Sequence, residues 1–144
     1  MVYKLLFPSK ANATNMSLLL LAARIIFAGL LMTHGFEKLT HFDETMAKLG
    51  DPIGMGAEIS AGLAIFGEFF CSLACVFGFL YRLSMIPMIV TMCVAFFIAH
   101  GASFAKGGEM AFVYLAVFVL IYIAGPGKYS LDYLIGEKLT KKRR

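Results

Sequence analysis

The sequence predicts an all-α integral membrane protein: a bundle of four transmembrane helices with a short outer-surface amphipathic segment between the first and second. Three observations carry this. Hydrophobic residues make up 60% of the 144 and charged residues only 15%, against about 25% charged in an ordinary soluble domain. The apolar residues gather into four stretches near the ~20 residues that a helix needs to cross a bilayer. Period-2 alternation is absent, and only helices satisfy their backbone groups in lipid without closing a barrel. A water-soluble monomer of this length could not hide so much apolar surface in one core.

The four stretches run over about residues 16–33, 57–80, 83–104 and 109–124, followed by a basic tail over 128–144, and residues 1–144 read as a single transmembrane domain. The first stretch follows Lys4 and Lys10, as a signal peptide would. It ends in Leu31-Met32-Thr33-His34-Gly35 instead of a small-residue cleavage site, and it carries Arg24 in mid-span, so it reads as a retained helix. Within the outer loop, Phe42, Met46 and Leu49 recur at helical spacing, which predicts a short amphipathic helix on the surface. The second stretch is rich in small residues, among them Ala64, Gly67, Cys71, Ala74 and Gly78, which let membrane helices approach closely. A tight turn at Tyr81 and Arg82 leads to the third stretch, with Pro87 near its start. A Gly-rich loop from Gly101 to Gly108 leads to the fourth.

Lys and Arg are unequally shared between the two sides. Nine lie on the side of the N-terminus: Lys4, Lys10, Arg82, Lys128, Lys138 and the run Lys141, Lys142, Arg143, Arg144. Three lie on the other: Lys38, Lys48 and Lys106. The positive-inside rule therefore puts both termini in the cytoplasm, with the tail held near anionic lipid, as expected of a prokaryotic inner membrane protein. The sequons at Asn12 and Asn15 then lie on the wrong side for glycosylation. A nucleic-acid partner is excluded despite the net charge of +4, because no basic folded face with stacking aromatics accompanies it.

Ionisable groups within the spans are the informative residues, since each is costly there unless paired or hydrated. Arg24 lies roughly 12 Å along the first helix from its inner end, and Glu68 roughly 16 Å along the second from its outer end. Those depths nearly coincide in antiparallel helices, so an Arg24–Glu68 ion pair near the midplane is expected. It could serve chemistry or merely set helix register. A second set collects at the outer boundary: His34 closing the first helix, Glu58 opening the second, His100 near the end of the third and Glu109 opening the fourth, with Lys38 and Lys106 just outside. Such groups could relay protons, bind an anion or ligate a metal. Shared depth alone does not make defined ligand geometry, so no metal residues are assigned. Cys71, Cys75 and Cys93 lie deep in the spans and lack the redox spacing; they read as small hydrophobes. No nucleotide-binding, haem, iron–sulfur or hydrolase motif occurs.

Several of these residues recur together in one known pattern. The spacing Glu68-x9-Gly78-x3-Arg82, the His100 that ends the third helix, Arg24 with His34-Gly35-x-x-Lys38, and the run Gly125-Pro126-Gly127-Lys128-Tyr129-Ser130-Leu131-Asp132 resemble the DoxX family of small bacterial and archaeal membrane proteins over about residues 16 to 133. The resemblance implies four transmembrane helices and a redox role: relatives belong to quinol oxidase and thiosulfate:quinone oxidoreductase systems, while distant animal relatives are assembly chaperones. It thus implies a quinone-linked oxidoreductase, or the membrane subunit of one, acting on a small reductant, with sulfur compounds among the candidates. Glu68, His100 and Arg24 are then the candidate catalytic residues, and His34, Lys38, Glu58, Lys106 and Glu109 the candidate substrate-binding ones. Quinone is the cofactor implied, and membrane lipid, redox partner subunits and a homo-oligomer are the partners. The alternatives are a non-catalytic assembly subunit and a transporter of a small solute or protons.

Overall fold

The computed structural model describes residues 13–142, so Lys4, Lys10, Asn12, Arg143 and Arg144 lie outside the described residues. Four helices long and apolar enough to cross a membrane dominate them. Helix α1 is Ala13–Thr40, α3 is Ala57–Phe77 and α4 is Tyr81–Ala99. Helix α5 is Glu109–Ala124 and is entered through a kinked π turn at Phe104–Gly108. Two shorter helices complete the set: α2, Phe42–Leu49, between α1 and α3, and α6, Leu131–Lys142, after α5. Consecutive spans pack as antiparallel neighbours, as short connections demand.

The first helix runs further than its apolar stretch, through His34, Gly35 and Lys38 to Thr40. His34 therefore does not close it. The chain breaks at His41, where φ is −120° and ψ 53°, and α2 follows at once with Thr45 buried and Phe42, Met46 and Leu49 half-buried. Its polar Asp43, Glu44 and Lys48 are exposed. The expected amphipathic helix is thus present, folded back over the start of α3.

The core is narrow and mostly aliphatic, aromatic and sulfurous: Ala28, Leu31, Cys75, Tyr81, Met85, Met88 and Phe118 are essentially inaccessible. Around it Leu83, Leu120 and Ile123 are 64%, 66% and 73% exposed, the inverse of a soluble protein and what a lipid-facing surface requires. Small residues set the closest approaches. A Cβ added at Gly67 would meet the side chain of Thr91 and the Pro87 carbonyl. That carbonyl also accepts a 2.8 Å hydrogen bond from Thr91 Oγ1, a side-chain bond back to the turn before it.

The α3–α4 turn and the start of α6 form one clasp. Gly78, at φ +66°, ends α3 in a Schellman motif, with Phe79 N–H donating to the Ala74 carbonyl and Gly78 N–H to that of Cys75. Asp132 accepts from the N–H groups of Leu80 (2.9 Å) and Tyr81 (2.8 Å), and its own N–H donates to the Gly78 carbonyl. These bonds hold Leu80 at φ 44°, a conformation costly for a residue with a side chain. Ser130 caps α6 by accepting from Tyr133 N–H.

Candidate functional site

Three π turns interrupt the spans, at Arg24–Ala28, Phe66–Phe70 and Val94–Ala99. Arg24 opens the first, Glu68 is the middle residue of the second, and His100 directly follows the third. A π turn adds a residue and so shifts the helix faces on either side of it; such turns are frequent at functional sites.

Glu68 is buried on the face of α3 that meets α1. Gly35 permits the contact: a Cβ on it would lie 2.6 Å from the Glu68 carbonyl carbon and the Phe69 nitrogen. One turn further along α1, Lys38 reaches back and donates through Nζ to both carboxylate oxygens, at 2.5 and 2.6 Å. The Glu68 side chain is 4% exposed and that of Lys38 30%. One partner is therefore sealed in the bundle and the other looks out of it. Lys38 lines a cleft of about 330 Å³ between α1 and α2, together with His34, Glu37, His41, Glu44 and Lys48. Tyr114 of α5 stands edge-on to His34, with ring centroids 6.3 Å apart, and to Phe27 at 6.4 Å. Buried carboxylate, half-exposed ammonium and two imidazoles thus lie along one path from the bundle interior to water. Such a set can hold a polar head group and accept or return a proton.

The Arg24–Glu68 pair expected from helix depth does not form. Because α1 extends to Thr40, it is Gly35, not Arg24, that stands level with Glu68. Arg24 lies eleven residues away, roughly 16 Å along the axis. It points instead into the clasp at the other end, where Nη2 donates to the Tyr129 carbonyl and the guanidinium sits 5.9 Å from the Tyr81 ring. Gly78 has no Cβ where the guanidinium and Ser130 pass. Nε and Nη1 have no hydrogen-bond partner among the described residues; the Tyr81 face supplies an electrostatic partner in place of one.

A family model, DoxX, matches residues 19–101, more than half of the chain. The chain belongs to the DoxX family. Over 126 residues this DoxX protein is 34% identical to a protein named Inner membrane protein YqjF of Escherichia coli (strain K12), a match covering 82% of this chain and 92% of the relative. It is 28% identical over 116 residues to an uncharacterized protein of Haemophilus influenzae, covering 76% and 84%. No solved structure matches it.

In this DoxX chain the polar residues expected at the outer boundary do not gather at one place. His34 and Lys38 share the α1–α2 cleft. His100 is half-buried at the end of α4, with Nδ1 2.6 Å from the Ala95 carbonyl, its ring beside Gly107 and its Cβ beside Gly108. It is turned back onto its own helix end, where the Ala95 carbonyl also accepts the His100 backbone N–H at 3.1 Å. Glu58, Lys106 and Glu109 are exposed, and no side-chain hydrogen bond or ion pair joins them to described residues. Among the described residues no group of three or more His, Cys, Asp or Glu could hold a metal. The cysteines are free, with Cys71 and Cys75 buried and Cys93 half-buried.

Sequence reasoning missed Lys38 as the partner of Glu68, and Gly35 as the reason they meet. The signal was present: Gly35 and Lys38 are three residues apart and so share a helix face. It also missed Asp132 as the tie between turn and tail. Outside the spans, the carboxyl of Asp51 in the α2–α3 connection is held below its ordinary range, first by the backbone N–H of Gly56 and then by that of Met55 and the Ser60 hydroxyl.

Proposed function

We propose that this DoxX protein is the membrane component of a quinone-linked redox system, with Glu68 and Lys38 as its proton-handling pair. The observation that carries the reading is the pair itself, a carboxylate sealed in the bundle and held by an ammonium that opens onto the α1–α2 cleft. Buried ionisable groups in membrane proteins mark function more often than register, because lipid makes them expensive. The residues present fit a quinone head group. Lys38 supplies a donor for a ring oxygen, Glu68 an acceptor for a released proton, and His34 a second donor backed by Tyr114. A quinone, when bound, supplies a two-electron, two-proton carrier. The chain's own part is to orient the head group, exchange protons at the Glu68 carboxylate, and pass them along His34 and His41 to the cleft mouth. Glu37 and Glu44 at that mouth extend the route. His100, Glu58, Lys106 and Glu109 stand apart from it and take no step.

The same reading places the chain in a prokaryotic inner membrane, as the name of the Escherichia coli relative suggests, with α2 on the outer face and both termini in the cytoplasm. The Lys and Arg excess on the α6 side supports that orientation. A small reductant, of the sulfur compounds that the family resemblance suggests, would reach the cleft from outside, and partner subunits would supply what chemistry the chain lacks.

A second reading, a non-catalytic assembly subunit, is favoured by one specific feature. Arg24 is enclosed by the clasp, lines none of the clefts described above, and serves to hold α6 against the bundle. The discriminating experiment is solvent extraction of quinone from protein purified in mild detergent, with Glu68→Gln beside the native chain and His100→Ala as a control remote from the pair. Near-stoichiometric quinone that Glu68→Gln removes and His100→Ala leaves supports the redox reading. Quinone no higher than the lipid background in all three, with partner assembly intact in Glu68→Gln, overturns it in favour of the assembly reading.

A further inference from the structure

Two apolar grooves on the α6 side of the molecule meet. The first is a crevice of about 460 Å³ between α3 and α4, walled by Phe70, Ala74, Leu83 and Pro87. The second, about 730 Å³, runs beneath α6 between Ile135 and Leu139 on one side and the α3–α4 turn on the other. Phe79, Leu80 and Leu83 line both, so the two form one continuous trough from the membrane interior to the interface. Arg82 stands at the lip of the second groove, its guanidinium 5.8 Å from the Tyr122 ring.

Arg82 is the cation and Asp132 the acid that line this groove, and further basic residues lie on the same side of the molecule. Arg82, Lys128, Lys138 and Lys141 are exposed. The nearby acids are both engaged: Asp132 binds the Leu80 and Tyr81 N–H groups, and Glu137 pairs with Lys141 at 3.1 Å. Helix α6 itself exposes Leu131, Leu134 and Leu139 among its lysines, the composition of a helix that lies in the plane of a membrane surface. Trough and lip together call for an occupant with a long apolar chain and an anionic head.

We propose that an anionic phospholipid occupies the trough, one acyl chain in the α3–α4 crevice and its phosphate against Arg82 under the edge of α6. Basic pockets between spans recognise such head groups, and a guanidinium can grip two phosphate oxygens at once. The lipid then joins α6 to the α3–α4 turn from outside, where Asp132 joins them from inside. The site is on the face of α3 opposite Glu68 and does not depend on the redox reading.

The test uses the full chain in mild detergent, stripped of lipid and titrated with dioleoylphosphatidylglycerol or dioleoylphosphatidylcholine, with bound lipid counted by native mass spectrometry. One phosphatidylglycerol per chain is expected to bind on the order of fivefold more tightly than phosphatidylcholine. Arg82→Gln should erase that preference, since one interfacial cation is worth about fivefold, and Arg82→Lys should restore part of it. Ala74→Leu, which fills the crevice, should weaken both lipids and gives an independent reading should Arg82→Gln fail to fold. Equal binding of the two lipids by the native chain overturns the proposal. So does phosphatidylglycerol binding untouched by both Arg82→Gln and Ala74→Leu. High-yield disulfide dimers of Leu83→Cys in phosphatidylglycerol bilayers overturn it as well, because a second copy would then fill the trough.

Discussion

Substituting Gly35 by alanine tests the contact on which the candidate site depends. The added Cβ would lie 2.6 Å from two backbone atoms of Glu68 and Phe69 and 2.9 Å from the Phe69 Cα. That is about 0.8 Å short of the 3.4 Å at which ordinary contact begins. Backbone atoms cannot swing aside as a side chain does, so α1 and α3 must part or slide by most of that amount. Overpacking of this kind costs about 1–3 kcal/mol, and the upper half of the range applies because both colliding partners are main chain. The displacement also draws Lys38 from Glu68, whose bonds of 2.5 and 2.6 Å leave no slack before a buried carboxylate loses its donor. Thermal unfolding in detergent should show a loss of about 2–3 kcal/mol, roughly 5–10 °C for a chain of this size. Gly29→Ala is the control, since a Cβ there meets nothing within 4 Å. A Gly35→Ala protein as stable as the Gly29→Ala control would refute the close α1–α3 approach and the pairing built on it.

Three further outcomes follow from the same geometry. Lys38→Met should destabilise by about 2 kcal/mol, less than the ~3–5 of a fully buried pair because Lys38 is partly hydrated. Adding Glu68→Leu should recover most of that loss, whereas Arg24→Leu with Glu68→Leu should be additive in a thermal double-mutant cycle, as distant sites are; strong coupling between Arg24 and Glu68 would contradict the structure. Asp132→Ala removes the acceptor of two N–H groups and should cost about 2 kcal/mol, seen as faster hydrogen exchange at Leu80 and Tyr81; unchanged exchange there would show that the clasp stands without it. Asp51, whose folded-state carboxyl is depressed, lends stability that is whole at neutral pH and is lost as the pH falls below the ordinary carboxylate range. The melting-temperature gap between native chain and Asp51→Asn should therefore close in acid, and a gap that widens there would reverse the sign of the argument.

Much of the architecture was legible along the chain. Hydropathy alone marks four spans, because lipid admits little but apolar side chains over a bilayer's thickness. The period of Phe42, Met46 and Leu49 marks α2 for the same kind of reason, a local pattern read on a local helix. Glu68 was also legible as a residue that must have a partner, since a lone carboxylate in a span is too costly to leave unpaired. Its partner was not. Apolar stretches show where lipid begins and end at the first polar residue, but α1 continues through His34 and Lys38 to Thr40. That extension, with the approach at Gly35, displaces the helix register by several residues from the one that depth implies.

Composition, span number and the identity of the costly residues are properties of short windows of chain, and sequence suffices for them. Pairing is a property of two windows meeting at one register. Lys38 rather than Arg24 meets Glu68 because a single missing Cβ sets how α1 lies on α3, and Arg24 meets Tyr129 because Asp132 draws α6 back to the α3–α4 turn from the far end of the chain. Sub-ångström packing and a long-range hydrogen bond decide those contacts, and neither leaves a periodic trace in the order of the residues.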